Sequence, residues 1–118
     1  MILSEKMTIT QFQTKFRKKF PGLKIEFYSK KHGVNAGSLK ENQLNESLLL
    51  KDITGKKLGE IEFTPAMTVA QLEQKMEKQF GLHVQVFRRS NTLWLQTSST
   101  DDWTLEKQNT KGLHSMVS

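Results

Sequence analysis

The side chains that could carry metal or acid–base chemistry are few and far apart in this sequence. His32, His83 and His114 fall in three separate segments, and no His-x3-His, HExxH or carboxylate–His spacing occurs. The chain has no cysteine, which removes thiolate catalysis, thiolate metal sites and disulfides together. We therefore expect no metal site and no cofactor.

Two motifs have the outline of a catalytic site but are better explained by folding. The neighbouring carboxylates Asp101 and Asp102 precede a Thr-Leu pair, a position typical of a helix cap. The GKKLG segment at 55–59 lacks the upstream glycine and the Lys-Ser/Thr ending of a phosphate-binding loop. The sequence therefore predicts a protein that is not an enzyme and has no small-molecule substrate.

A better candidate is a group of aromatic and basic residues on one side of the predicted strands. In the segments 23–28 and 82–87, apolar residues alternate with others, which is typical of strands with one buried face. The outward-facing set consists of rings and basic side chains, namely Tyr28, Phe87, Trp94, Lys24, Lys30, His83 and Arg89. Rings interleaved with cations on an open sheet bind single-stranded nucleic acids. Trp, Tyr and Arg are equally the usual anchors of protein interfaces.

We expect this outer face, or a sheet edge, to bind protein, with Tyr28, Phe87, Arg89 and Trp94 as the contact residues. The partner would be another protein or a second copy of the chain. Two other interpretations stay open. The rings and cations could bind nucleic acid, or Phe87 and Trp94 could simply stabilise a hairpin on a face covered by the long loop or the N-terminus.

Basic charge is concentrated in the first half of the chain. Residues 1–59 contain 12 Lys+Arg and 5 Asp+Glu, a balance of +7, whereas residues 60–118 contain 6 and 7, a balance of −1. The densest cluster is KFRKKF at 15–20, and a polyanion-binding patch would use Lys15, Arg17, Lys18, Lys24, Lys30 and Lys31. The alternative is an ordinary solvated helix face, since the helical members spread over most of the arc that does not face the core.

The first half also contains a segment that the second half repeats. Residues 7–28 (MTITQFQTKFRKKFPGLKIEFY) align with residues 67–87 (MTVAQLEQKMEKQFGLHVQVF) after one gap at Pro21, and eight of the 21 aligned positions are identical. Six more exchange one apolar residue for another. This pattern indicates a duplication with repeats at 7–59 and 60–112, in one domain at 1–112 that is followed by a frayed tail at 113–118.

Each repeat begins with the signals of a helix start. Thr8 and Thr68 stand at N-cap positions, and a glutamine three residues later completes a capping box in each case. Apolar residues then follow at helical spacing, at Ile9, Phe12, Phe16 and Phe20 and at Val69, Leu72, Met76 and Phe80. Gly22 and Gly81 suit the left-handed position that ends a helix.

Strands are predicted after both helices. In the second repeat, a return strand at 92–97 follows a turn at Ser90-Asn91, which would pair Val86 with Leu95 inside and Phe87 with Trp94 outside. In the first repeat, we expect mostly loop at 32–45, a buried strand at Leu48–Leu50, and a strand at 59–64 that leads into the second helix. Residues 101–109 are predicted as a short helical turn, with Trp103 against the sheet edge or the core.

The most economical arrangement is an α+β domain with both helices on one face of a mostly antiparallel sheet. Residues 47–112 also resemble a ubiquitin-type β-grasp, through the TGK turn at 54–56, the Thr-capped helix after Met67 and the DDWTLEKQN stretch at 101–109. That resemblance implies strands on both sides of the TGK turn. The N-terminus does not have the pattern of a signal peptide and no apolar run is longer than the three residues of Leu48–Leu50, so we expect a cytoplasmic protein without a membrane segment.

Overall fold

The computed structural model describes residues 1–30 and 37–116, and these form an α+β fold, as predicted. Within that part of the chain there are four α-helices: α1 (Ile9–Lys19), α2 (Leu50–Ile53), α3 (Val69–Phe80) and α4 (Leu105–Ser115). Three strands, β1 (Leu23–Tyr28), β2 (His83–Ser90) and β3 (Leu93–Gln96), form an antiparallel sheet in the order β1-β2-β3. None of the helices in these residues is both long enough and apolar enough to cross a bilayer.

The starts of α1 and α3 confirm the predicted capping boxes. Thr8 Oγ1 accepts the Gln11 N–H at 3.2 Å, and Gln11 Oε1 accepts the Thr8 N–H at 2.9 Å. At the start of α3, Thr68 and its glutamine partner make the same two bonds at 3.1 and 2.9 Å. Both helix starts therefore satisfy backbone donors that would otherwise be unpaired.

The core lies between these helices and one face of the sheet. All eight apolar residues of the two predicted helical stripes are buried. They join the inward side chains of β1 and β2 in a single cluster that contains Leu23, Ile25, Phe27, Val84 and Val86. Phe12 packs edge-on against Phe27, with ring centroids 5.3 Å apart. Helices α1 and α3 consequently share one face of the sheet.

The two similar segments make the same backbone contacts at their helix starts. In each one, the residue after the N-cap donates its N–H to a carbonyl of a later segment. A leucine of that later segment donates its own N–H to the carbonyl of the methionine that precedes the N-cap. These four bonds, 2.8 to 3.0 Å long, join Ile9 to Leu48, Leu50 to Met7, Val69 to Trp103 and Leu105 to Met67. Helix α2 therefore starts beside α1 in the same way that α4 starts beside α3.

The segment between the two similar regions contains less strand than predicted. Residues 59–64 contribute only an isolated bridge between Ile2 and Glu60, and the Leu48–Leu50 run enters α2 instead of a strand. The TGK turn at 54–56 thus follows a helix and does not join two strands. The β-grasp resemblance is wrong for this part of the fold.

The C-terminal segment is more ordered than predicted. Helix α4 extends to Ser115, well beyond the expected short turn, and only residues 117–118 of the predicted frayed tail lie outside the described residues. Thr104, not Asp101 or Asp102, caps it by accepting the Lys107 N–H at 3.1 Å. Polar contacts, which hydrophobic periodicity does not register, hold the helix in place: Ser115 Oγ, for example, donates to the Arg89 carbonyl at 3.0 Å.

Helix α4 packs on the turn between α1 and β1 through two glycines. A Cβ added to Gly112 would lie 2.4 Å from the Gly22 carbonyl oxygen, and one added to Gly22 would lie 2.5 Å from the Asn109 carbonyl oxygen. We predicted a left-handed conformation for both Gly22 and Gly81, and only Gly81 has one, with a φ of 65°. The prediction is wrong for Gly22, because α1 already ends at Lys19. Glycine is needed at position 22 because two backbones meet there.

Replacing Gly112 by alanine tests this contact. Overpacking costs about 1–3 kcal/mol, and here it opposes a gain of about 1 kcal/mol from alanine in a helix interior. Because the clash is with backbone, we expect a net loss in the free energy of unfolding, measured by urea denaturation. Gly59→Ala is the control, since a Cβ there meets nothing within 4 Å. A Gly112→Ala protein about 1 kcal/mol more stable than the parent, the full gain expected in a helix interior without a clash, would show that the two backbones are not in contact.

Candidate functional site

The face of the sheet turned away from α1 and α3, here called the outer face, is divided into two ends. One end lies under residues 37–44. Ser38 N–H donates to Gln96 Oε1 at 2.9 Å, and Gln96 Nε2 donates back to the Ser38 carbonyl at 2.8 Å. Gln43 forms an antiparallel bridge with Tyr28 and donates to Glu26 Oε2 at 2.8 Å. The Tyr28 end of the outer face, and the Gln96 side chain in the cross-strand row of Phe87 and Lys24, are therefore covered by the chain itself.

Tyr28 belongs to this covered end. It lies on the expected face of β1, opposite His83, but it is only 3% exposed. Burial raises the pKa of Tyr28 to about 12, and the Glu26 carboxylate adds to the shift. The prediction of an accessible ring at this position is wrong, because Gln43 pairs with the strand edge beside it.

At the other end of the outer face, three cations surround the indole ring of Trp94. Arg17 Cζ lies 5.1 Å, Lys24 Nζ 5.2 Å and Arg89 Cζ 5.1 Å from the ring centroid. Lys24 Nζ also lies 5.0 Å from the centroid of Phe87. Contacts of this length are attractive cation–π interactions. We refer to Arg17, Lys24, Arg89 and Trp94 as the Trp94 cluster.

The four residues of the cluster come from four different elements. Only Phe20, Pro21 and Gly22 separate α1 from β1, so the chain returns at once and brings Arg17 to the same end of the sheet as Lys24. Arg89 is paired directly with Trp94 in the β2–β3 ladder, and its Nε donates to the Asn91 carbonyl at 2.7 Å. From the sequence we expected Arg17 either in a polyanion-binding patch with Lys24 or on a solvated helix face, and the contact with Trp94 was missed; the short connection was the available signal.

The register of β2 and β3 differs from the prediction by two residues. The hairpin turn lies at Asn91-Thr92, one residue later than expected, and Asn91 adopts a φ of 59°. Trp94 thus pairs with Arg89 instead of Phe87. A shift of two residues leaves each side chain on its original face, so Trp94 and Phe87 still share the outer face. Leu95, however, is 41% exposed and does not pack opposite a buried valine.

Acidic groups beside the cluster offset only part of its charge. Glu26 Oε1 lies 3.9 Å from Lys24 Nζ. Burial raises the pKa of Glu26, although Lys24 and a hydrogen bond with Gln13 oppose this effect. Glu46 lies farther along the groove that Arg17 and Lys24 also line. Three cations against these two carboxylates leave the site positive near neutral pH.

The fold divides the predicted polyanion-binding set. Two of its members, Arg17 and Lys24, join the Trp94 cluster. Lys15, Lys18 and Lys30 are exposed to solvent, but none of them is among the cations beside Trp94. Lys31 lies outside the described residues, as does His32.

Trp103 is a second ring with cationic neighbours. Lys107 Nζ lies 4.1 Å and Arg88 Cζ 5.5 Å from its centroid, and Arg88 Nη1 donates to Gln108 Oε1 at 2.9 Å. The ring is half-buried and connects α4 to β2, so of the two predicted positions, the sheet edge and the core, it does not occupy the core. We assign Trp103 a structural role because these contacts fasten one element to another.

The remaining polar groups form no comparable arrangement. Within residues 1–30 and 37–116, no group of three or more His, Asp or Glu side chains is placed to hold a metal ion. His83 Nδ1 is buried and has no hydrogen-bond partner among the described residues, in a small cavity beside Tyr28. Comparison of the chain with protein-family models, curated proteins and solved structures gave no match. The Trp94 cluster is therefore the best basis for assigning a function to this chain.

The burial of Tyr28 can be measured directly, because it is the only tyrosine in the chain. We expect tyrosinate absorbance of the folded protein to appear with a midpoint near pH 12, whereas the unfolded chain should titrate near its ordinary value of 10. Since folding favours the neutral phenol, its contribution to stability should be complete below about pH 10 and lost as the pH rises towards 12. A midpoint near 10 without denaturant would mean that the ring is accessible.

Proposed function

We propose that this chain is a non-enzymatic interaction module that binds an acidic segment of a partner protein at the Trp94 cluster. The observation that carries the proposal is the set of three cations held 5.1–5.2 Å from one half-buried indole ring. Tryptophan and arginine are the residues that most often dominate interface energies. A positive patch of this kind complements carboxylates and speeds their encounter with the protein. We place this activity in the cytoplasm, which suits a chain without cysteine.

The geometry also lowers the cost of binding. Long cationic side chains lose rotamer freedom when a ligand fixes them, at about 0.5–1.5 kcal/mol each. Here Arg89 is already oriented by its bond to the Asn91 carbonyl, and the Trp94 ring attracts all three cations towards one place. A carboxylate that approaches the cluster therefore meets donors that are partly ordered in advance.

Nucleic acid is the second candidate, supported by the same cations and by the basic balance of residues 1–59. A base that stacks needs an open ring face. Trp94 has three cations and Phe87 one within about 5 Å of the ring centroid. A stacking base would have to displace these side chains, whereas a carboxylate only has to approach them. This difference favours an acidic peptide over single-stranded nucleic acid.

The proposal can be tested with a fluorescently labelled oligoglutamate peptide and two neighbouring charge changes on α1. Arg17→Gln removes a cation of the cluster, and Lys18→Gln removes an exposed cation that does not contact Trp94. We expect Arg17→Gln to weaken binding by about 1 kcal/mol, roughly fivefold in Kd, and Lys18→Gln to have a clearly smaller effect. Fluorescence anisotropy at fixed ionic strength measures both. Equal effects of the two changes would contradict a specific role for the cluster.

Glu26→Gln provides a change in the opposite direction. It removes the carboxylate next to Lys24 but keeps a side chain that can bond with Gln43 and Gln13. Because the cluster becomes more positive, we expect tighter oligoglutamate binding than in the parent protein. A thymidine oligonucleotide serves as the competing ligand: if it binds more tightly than the peptide and its affinity falls steeply with salt, the acidic-peptide assignment is wrong and the nucleic-acid candidate takes its place.

A further inference from the structure

Strand β3 has one edge that no described residue pairs with. It is the last strand in the sheet order, and none of the isolated bridges within residues 1–30 and 37–116 involves it. Thr97 N–H donates to the Val86 carbonyl at 3.2 Å, and backbone direction alternates along an antiparallel strand. Leu93 and Leu95 therefore direct their backbone groups to β2, and Trp94 and Gln96 direct theirs to the edge that no described residue pairs with.

The opposite edge of the sheet, on β1, accepts hydrogen bonds from other parts of the chain. On β1, the Ile25 carbonyl accepts from Gln13 Nε2 at 2.8 Å, and the Phe27 carbonyl accepts from Leu44 N–H at 2.8 Å. Exposed strand edges with unpaired backbone groups are places where another strand can add. The sheet thus has one edge closed by its own chain and one edge, at β3, whose donors and acceptors are not paired with any residue in 1–30 or 37–116.

The two faces of β3 have contrasting chemistry. On the face turned towards the helices, Leu93 and Leu95 are 65% and 41% exposed. On the outer face, Trp94 lies within the cluster of cations. A strand added beside β3 would therefore meet apolar side chains on one face and positive charge on the other. Because side chains alternate along a strand, the complementary sequence alternates between apolar and acidic residues.

We propose that the β3 edge binds an extended segment of a partner protein in which acidic and apolar residues alternate, by adding it as a fourth strand. Its acidic side chains would lie towards Arg89 and Trp94, and its apolar ones against Leu93 and Leu95. This inference rests on the proposed function and specifies how the partner binds. A second copy of the chain fits less well, because pairing two β3 edges would place two sets of cations on the same side of one sheet.

The test uses an alternating Val-Glu peptide and two N-methylated forms, one methylated on every valine amide and one on every glutamate amide. In an extended strand these two sets of amides point to opposite edges, so only one set faces β3. Strand addition predicts that one of the methylated peptides loses about tenfold or more in affinity, measured by calorimetry, while the other binds like the parent peptide. If both methylated forms bind as tightly as the parent peptide, strand addition is wrong.

Side-chain variants separate this inference from the proposed function. Leu93→Lys should weaken binding of the alternating peptide, whereas Leu39→Lys, at a leucine 62% exposed outside the sheet, should leave its affinity unchanged.

If methylation has no effect but Arg17→Gln still weakens binding, the cluster binds acidic peptides without strand addition. If methylation abolishes binding but Arg17→Gln does not affect it, the edge is the site and the cluster is not. A dimer in analytical ultracentrifugation that Leu93→Lys dissociates would assign the edge to a second copy instead.

Discussion

The backbone of Gly22 is the point on which the arrangement of the candidate site depends. Its N–H donates to Asn109 Oδ1 at 2.7 Å, and its carbonyl accepts the Arg89 N–H at 2.9 Å. Its Cα lies against Gly112 of α4 at a distance that leaves no room for a side chain. One residue thus joins the first turn of the fold, the central strand and the last helix. Arg17 and Lys24, on either side of that turn, are held beside Arg89 as a result.

Three like charges gathered around one ring are not stabilising in themselves. The indole face attracts each cation, and Glu26 lies close enough to Lys24 to offset part of the repulsion, although burial raises the pKa of that carboxyl and so weakens the offset at lower pH. A ligand carboxylate would relieve repulsion that the free protein retains. The packing of the turn thus determines the binding chemistry: the fold brings the charges together, and a partner supplies the missing negative charge.

Capping and periodicity signals predicted α1, α3 and the faces of the strands correctly, and non-local contacts account for the errors at the candidate site. The capping boxes at Thr8 and Thr68 and the side of the sheet that carries Trp94 follow from residue spacing alone, because each depends on neighbours within a few positions. The burial of Tyr28 depends on a strand-edge contact with residues 42–44, which periodicity does not encode. The contact of Arg17 with Trp94 likewise depends on four elements meeting, so the sequence showed the members of the site but not their assembly.

An acidic segment that binds at Trp94 must change the surroundings of its indole ring. The chain has two tryptophans, so its nitrogen–proton NMR spectrum contains two indole signals that report the two aromatic–cation clusters separately. On addition of oligoglutamate, we expect the Trp94 indole signal to shift progressively to saturation while the Trp103 signal stays in place. A titration in which the peptide binds but the Trp94 signal does not move, or in which only Trp103 responds, would contradict binding at Trp94.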